Sequence, residues 1–189
     1  PHPYDLLSPD MIIDAVESVG FLSDARLLAL NSYENRVYQV GIADSTPLIA
    51  KFYRPERWTE TQILEEHRFS LELQEAEISV VAPLVDAQGC TLHTYEGFMF
   101  ALFPRRGGYP PELDNLDNLL VLGRTLGRIH AVGRTCAFNA RIAITVERML
   151  TQSRELLLDN FIPRALLPAY ESLTADLQHI VESIYSEVK

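Results

Sequence analysis

Cysteine is almost absent from this chain. Two residues of 189, Cys90 and Cys136, offer neither metal-ligand spacing nor disulfide density, so a zinc-held or disulfide-stapled fold is excluded and a reducing cytoplasm fits best. Long apolar runs are missing too: no stretch approaches the ~20 residues that span a bilayer, and Pro1-His2-Pro3-Tyr4 lacks the charged and apolar regions of a signal peptide. Positive charge is short, with 16 Lys and Arg against 26 Asp and Glu and a net charge of −10. Phosphate binding along a nucleic acid depends on cation count, so a nucleic-acid groove is excluded as the main surface, although local basic spots can hold a small anion. There is no internal repeat and no low-complexity tract, and the missing initiator methionine points to processing or trimming. What remains is an apolar content of 47%, enough for one good core or two small lobes sharing an interface.

The chain is organised around Leu48-Ile49-Ala50-Lys51-Phe52-Tyr53-Arg54-Pro55. This reads as a buried or half-buried strand, in which the ammonium of Lys51 is costly without a partner. Thr59-Glu60-Thr61-Gln62 has capping-box spacing and opens a helix carrying Glu65 and Glu66. Ile63, Phe69, Ser70 and Leu73 fall within about 60° of Glu66, which puts Glu66 in the middle of the inward face and Glu65 at its rim. On its own, a strand lysine beside a helix glutamate is also ordinary structure, with the lysine snorkelling to water.

The flanking residues narrow this. Asn31-Ser32-Tyr33-Glu34-Asn35-Arg36-Val37-Tyr38-Gln39-Val40, Lys51 through Trp58, and Gln62-Ile63-Leu64-Glu65-Glu66-His67 closely resemble the stress response kinase A family, part of the aminoglycoside phosphotransferase and choline kinase-like group of protein-kinase-like folds. The resemblance runs from about Leu6 to the C-terminus. It implies an α+β fold: a kinase-like N-lobe of about five antiparallel strands plus helices over 1–104, a hinge or linker over 105–113, and the first helices of an α-helical C-lobe over 114–189. It further implies ATP as ligand, with Mg2+ in the complete enzyme. Lys51 would neutralise phosphate charge and Glu66 would position Lys51.

In chain order, Ser8-Pro9-Asp10 opens a first helix that Gly20 closes, with Ile12, Ala15, Val16 and Val19 as its apolar stripe. Leu27–Leu30, Arg36–Ile42 and Pro47–Tyr53 read as antiparallel strands. The loop Asn31 to Arg36 has no glycine, unlike a protein-kinase phosphate loop, and by itself reads as a polar hairpin turn. By resemblance it closes over the phosphates, with Ser32 offering hydroxyl and amide. Val80–Val85, Thr91–Tyr95 and Phe98–Phe103 complete the sheet. Pro104-Arg105-Arg106-Gly107-Gly108-Tyr109-Pro110-Pro111 concentrates breaker residues and ends the lobe. By resemblance the backbone of Ala101 and Phe103 bonds an adenine edge and Phe100 lines the back of the pocket.

Beyond Asp114, read as a helix cap, the periodicity is helical. Leu116, Leu119, Leu120, Gly123, Leu126 and His130 recur at three- and four-residue steps, with Gly123 and Gly127 permitting close helix contact and His130 read as a core residue. Ile144–Leu158 and Tyr170 to about Val188, interrupted near Ser172, supply further helix. The His-Gly-Asp-x-His-x-x-Asn loop and the metal-holding aspartate of the family do not occur, so no residue here is assigned to catalysis or to a metal. Two functions are compatible. One is an ATP-dependent phosphotransferase acting on Ser/Thr of proteins, represented by its N-terminal part, inactive alone and prone to self-association through surface meant for the remainder. The other is a non-catalytic nucleotide-binding or interaction module.

Overall fold

The computed structural model describes residues 3–187, which divide into two compact units, the first ending at Arg141 and the second beginning at Ile142. In the first unit, α1 (Pro9–Ser18) begins where Ser8 Oγ accepts the Met11 N–H and a proline fills the first turn. Five strands follow: β1 (Ser23–Leu30), β2 (Arg36–Ile42), β3 (Leu48–Phe52), β4 (His93–Tyr95) and β5 (Phe98–Pro104). All neighbours are antiparallel, in the order β1-β2-β3-β5-β4. Between β3 and β4 lies α2 (Glu60–Glu75), and α3 (Leu116–Gly133) follows β5.

Alternation along β3 and β5 sorts their side chains onto two faces. Leu48, Ala50 and Phe52, with Phe98, Phe100 and Leu102, bury against Ile12, Ala15 and Val16 of α1. Phe52 and Phe100 stack at 5.3 Å between centroids and are fully buried, each contributing about 1.5–3 kcal/mol by leaving water. The opposite face carries Ile49 and Lys51 on β3, Tyr53 just beyond it, and Met99, Ala101 and Phe103 on β5; there Tyr53 and Ala101 pack with Ile63 of α2. Phe100 therefore belongs to the α1 core and not, as the resemblance implied, to the back of a pocket beside Lys51: strand pleating puts the two on opposite faces.

Strand boundaries differ from the sequence reading: β3 is one residue shorter at each end than Pro47–Tyr53, β4 starts at His93 rather than Thr91, and β5 runs one residue past Phe103. β1 begins four residues earlier, at Ser23, because a bulge between Ser23 and Leu27 breaks the alternation that marks a strand. Within the bulge the Asp24 carboxylate lies where a Cβ on Gly41 would stand, so any larger residue there would have to displace that carboxylate. Residues 80–85 run outside the ladder, joined to β5 by one bond from Leu84 N–H to Leu102 C=O at 2.7 Å. Pro83 in their middle has no N–H to donate, which removes a ladder position. The β4–β5 hairpin turns on Glu96-Gly97, both at positive φ, the conformation of a two-residue turn that matches strand twist.

α3 starts one residue later than expected: Asn115, not Asp114, is its cap and accepts the Asp117 N–H. None of its residues is buried; His130 is exposed rather than a core residue. Among the described residues no atom lies within 4 Å of a Cβ built at Gly123 or Gly127, so the expected close helix contact is not made. The apolar period of α3 is real, but its stripe, including Leu116, Leu119, Leu120 and Leu126, faces open space. In the second unit, a π-helical turn (Glu147–Thr151) runs into α4 (Gln152–Asn160), and α5 (Leu167–Glu187) is continuous through Ser172. Near that point α5 carries one buried polar residue, Thr174. It bonds back to Tyr170 C=O at 2.7 Å and accepts Arg154 Nε at 2.8 Å, joining α4 to α5. The expected end near Val188 lies outside the described residues.

Candidate functional site

The α2 face of the sheet carries a cleft of about 360 Å3 lined by Val37, Ile49, Lys51, Glu66, Ser70, Val81, Phe103, Pro104 and Arg106. This volume is at the small end of the range for ligand sites, about 300–1,000 Å3. One wall is apolar, and a cation and a carboxylate stand opposite. Lys51 reaches the cleft because alternation turns it away from the α1 core, and its Nζ lies 3.2 Å from Glu66 Oε1 and 4.6 Å from the centre of the Tyr53 ring. Glu66 reaches it because the capping box fixes where α2 starts: Thr59 Oγ1 accepts Gln62 N–H at 3.3 Å, and Gln62 Oε1 accepts Thr59 N–H at 3.1 Å.

Glu66 faces Lys51, but the burial of the two neighbouring glutamates is the reverse of that read from the helical wheel. Glu65, expected at the rim, has a side chain only 6% exposed, whereas that of Glu66 is 36% exposed. The cause is a segment distant in sequence. Glu65 Oε1 accepts Asn139 N–H at 2.6 Å, and its Oε2 accepts the N–H groups of Ala140 at 2.9 Å and Arg141 at 2.6 Å. These three donors, that of Asn139 first, outweigh burial and hold the Glu65 carboxyl below the ordinary carboxylate range. Gln62 Nε2 donates to Ala140 C=O at 3.0 Å, and Phe69 meets Phe138 edge to face at 5.1 Å. Positions 62, 65, 66 and 69 thus form one helical stripe that docks residues 138–141.

Arg141 completes the arrangement. Its Nη1 lies 2.9 Å from Glu66 Oε2, and its guanidinium lies 4.3 Å from the centre of the Trp58 ring. Trp58 Nε1 donates to Glu34 at 2.6 Å, and Arg57 Nε donates to the other oxygen of Glu34 at 2.8 Å. Arg141 and Trp58 were not singled out from sequence, and no local signal marks a contact across so much chain. His67 was also passed over. It is 2% exposed, with Nε2 2.7 Å from the Tyr53 hydroxyl and Nδ1 2.8 Å from Thr91 Oγ1.

The other expected site residues fall as follows. Ser32 does not line the cleft; its hydroxyl donates to Asn35 C=O at 2.8 Å and closes the Asn31–Arg36 loop on itself. Ala101 lies opposite Lys51 and Phe103 opposite Ile49 in the ladder. The bond from Tyr53 N–H to Met99 C=O at 2.9 Å sets the antiparallel alternation, which turns the backbone groups of Ala101 and Phe103 toward β3. These two residues therefore present side chains to the α2 face, and the Phe103 ring lines the cleft. No group of three or more His, Cys, Asp or Glu that could hold a metal occurs among the described residues.

The family profile "APH: Phosphotransferase enzyme family" matches residues 26–181. The chain belongs to the phosphotransferase enzyme family. Stress response kinase A of Escherichia coli strain K12 is 44% identical over 185 residues, covering 97% of this chain and 56% of the relative. The serine/threonine protein kinase RdoA of Salmonella typhimurium is 43% identical over 166 residues, covering 88% of this chain and 49% of the relative. The chain thus spans about half the length of the curated relatives it matches. Among solved structures, an amicoumacin kinase in complex with AMP-PNP, Ca2+ and Ami superposes with a TM-score of 0.64 at 20% identity, covering 85% of this chain and 51% of that one. A microcompartment-associated aminopropanol kinase gives 0.59 at 19%, covering 78% and 53%. This phosphotransferase-family chain has the α+β fold of these kinases, with the five-stranded antiparallel sheet and helices described above.

Proposed function

We propose that this chain is the nucleotide-holding part of an ATP-dependent phosphotransferase of the stress response kinase A type, acting on Ser/Thr of proteins. The observation that carries the reading is the Lys51–Glu66 pair, 3.2 Å apart on the wall of a cleft whose remaining lining is apolar but for Ser70 and Arg106. A planar base fits between Val37, Ile49, Val81 and Phe103, and a triphosphate needs the cation that Lys51 supplies. In this scheme Lys51 neutralises phosphate charge and Glu66 aims it, as in kinase folds generally. Ser32 shapes the Asn31–Arg36 loop through its bond to Asn35, leaving backbone amides for the phosphates. Phe103 contributes side-chain surface, and Ala101, fully buried with Tyr53 and Ile63, backs the wall behind it. The adenine edge falls to the backbone of residues 104–106, where Pro104 and Arg106 line the same cleft.

The division into a nucleotide lobe over 1–104, a linker over 105–113 and helices over 114–189 is part of this proposal. So is a cytoplasmic location, which the two exposed, unpaired cysteines favour. No helix of the described residues is long and apolar enough to cross a membrane. Magnesium would bridge the phosphates in the complete enzyme. The residues present here do not fit it: the one carboxylate in the cleft, Glu66, is held by Lys51 and Arg141, and we assign no metal ligand in this chain. The 189 residues are expected to bind ATP and to transfer no phosphate.

The test is an ATP titration by calorimetry together with a radiolabelled transfer assay, on the chain and on Lys51→Ala. The expected result is binding that weakens about tenfold in the variant, with no transfer in either, since one charge-assisted contact is worth roughly 1.5–3 kcal/mol. Binding equal in both would overturn the role of Lys51 and favour the non-catalytic module. Transfer dependent on Lys51 would mean that a carboxylate such as Asp114, Asp117 or Asp159 holds the metal.

A further inference from the structure

Glu66 divides its two oxygens between two cations, Oε1 to Lys51 at 3.2 Å and Oε2 to Arg141 at 2.9 Å. A carboxylate left to a single lysine is free to turn both oxygens toward it. With Oε2 occupied, only one oxygen is left for the ammonium, whose three donors then include some for a phosphate. Arg141 is itself fixed at three points: its N–H on buried Glu65 at 2.6 Å, its guanidinium on Glu66, and the same group over the Trp58 ring at 4.3 Å. Trp58 is fixed by Glu34 of the Asn31–Arg36 loop. A continuous set of contacts therefore runs from that loop through Trp58, Arg141 and Glu66 to Lys51, and every member belongs to the first unit.

We propose that Arg141 is a positioning residue for the nucleotide site: it seats α2 by docking residues 139–141 on Gln62, Glu65 and Glu66, and it aims Lys51 through Glu66. The role of Lys51 rests on the function proposed above; the seating of α2 does not. Kinase-like lobes depend on the glutamate of this helix facing the strand lysine, so whatever holds the helix in that place governs the site. Here the holder is Arg141, beyond α3 in sequence. Arginine suits the position because its planar group both forks onto a carboxylate and stacks on an indole, which a lysine does less well.

The experiment compares the chain with Arg141→Gln and Arg141→Lys, each also in a Glu66→Gln background, and reads two quantities. Amide hydrogen exchange without nucleotide reports the seating of α2; we expect Arg141→Gln to speed exchange around Glu65–Phe69 at least tenfold, and Arg141→Lys to do so less. ATP titration reports the aim of Lys51; we expect Arg141→Gln to weaken binding about tenfold where Glu66 is present and not where it is Gln, with Arg141→Lys recovering part. Unchanged exchange in Arg141→Gln would show that the backbone bonds of residues 139–141 to Gln62 and Glu65 seat α2 without the guanidinium, and overturns the seating role of Arg141. Equal ATP loss in both backgrounds overturns action through Glu66 and leaves Arg141 a general structural or electrostatic contributor. If the parent binds no ATP in a Lys51-dependent way, the proposed function fails instead, and the exchange arm alone decides whether Arg141 seats α2.

Discussion

His67 is the buried residue whose charge state matters most to the nucleotide face. Burial is the main cause that pushes its pKa from 6.5 down to about 4; nearby Lys51 and His93 push the same way, and Glu66 opposes. Neutral imidazole suits its surroundings, since hydroxyls of Tyr53 and Thr91 satisfy both ring nitrogens in either tautomer. The sign of the pH dependence follows. The folded pKa is depressed, so between 6.5 and about 4 the unfolded chain takes up a proton that the folded chain refuses. Stability is complete above pH 6.5 and falls by on the order of 3 kcal/mol as acid approaches pH 4. His67→Gln should lower stability at pH 7 and flatten that limb, read as urea midpoints from pH 7 to 4; parallel curves for parent and variant would rule out His67 as the source. Glu65 acts at lower pH, since its depressed pKa gives stability that is present above 4.5 and lost below it.

At the scale of elements, α2 carries most of what can be tested. Its start is written locally: Thr59 and Gln62 are three apart, and both bonds of the box form. Thr59→Ala should cost about 1 kcal/mol, because one N–H of the first turn loses its acceptor, and urea unfolding should show a shifted midpoint at unchanged slope. A change below a few tenths of a kcal/mol would mean that Gln62, also tied to Ala140, holds the turn without the threonine. The same helix shows where local reading ends. Its wheel correctly put a glutamate toward Lys51, yet it misjudged which of two adjacent glutamates is buried. Burial there is imposed by residues 138–141, whose approach no helical period encodes. β1 and residues 80–85 differ for other reasons: a bulge hid the first half of one strand, and a proline kept an apolar run from becoming another.

For the whole molecule, the question is what the exposed apolar stripes meet. Leu116, Leu119, Leu120 and Leu126 on α3 are exposed, as are Leu173, Leu177, Ile180 and Ile184 on α5, at the spacing of a helix face. Each stripe exceeds what scattered surface leucines explain. The chain spans 56% of a curated relative, and such faces suit association. We therefore expect concentration-dependent self-association in sedimentation velocity and a melting temperature that rises with protein concentration. A single monomer species across a hundredfold concentration range would show that the stripes are tolerated in water.

Several features were fixed by neighbouring residues alone. The Ser8 and Thr59 caps, the alternation that sends Lys51 to one face and Phe52 to the other, and the breaker-rich 104–111 stretch all act over a few residues, where propensity and period decide. The family resemblance followed from three short segments between Asn31 and His67. Only the tertiary structure decided that Glu65 is buried, that Glu66 is shared, that Arg141 stacks on Trp58, and that the backbone of Ala101 and Phe103 turns to β3. These depend on which distant segment arrives and in what register, and charge pairing across some 75 positions leaves no periodic trace in the chain that makes it.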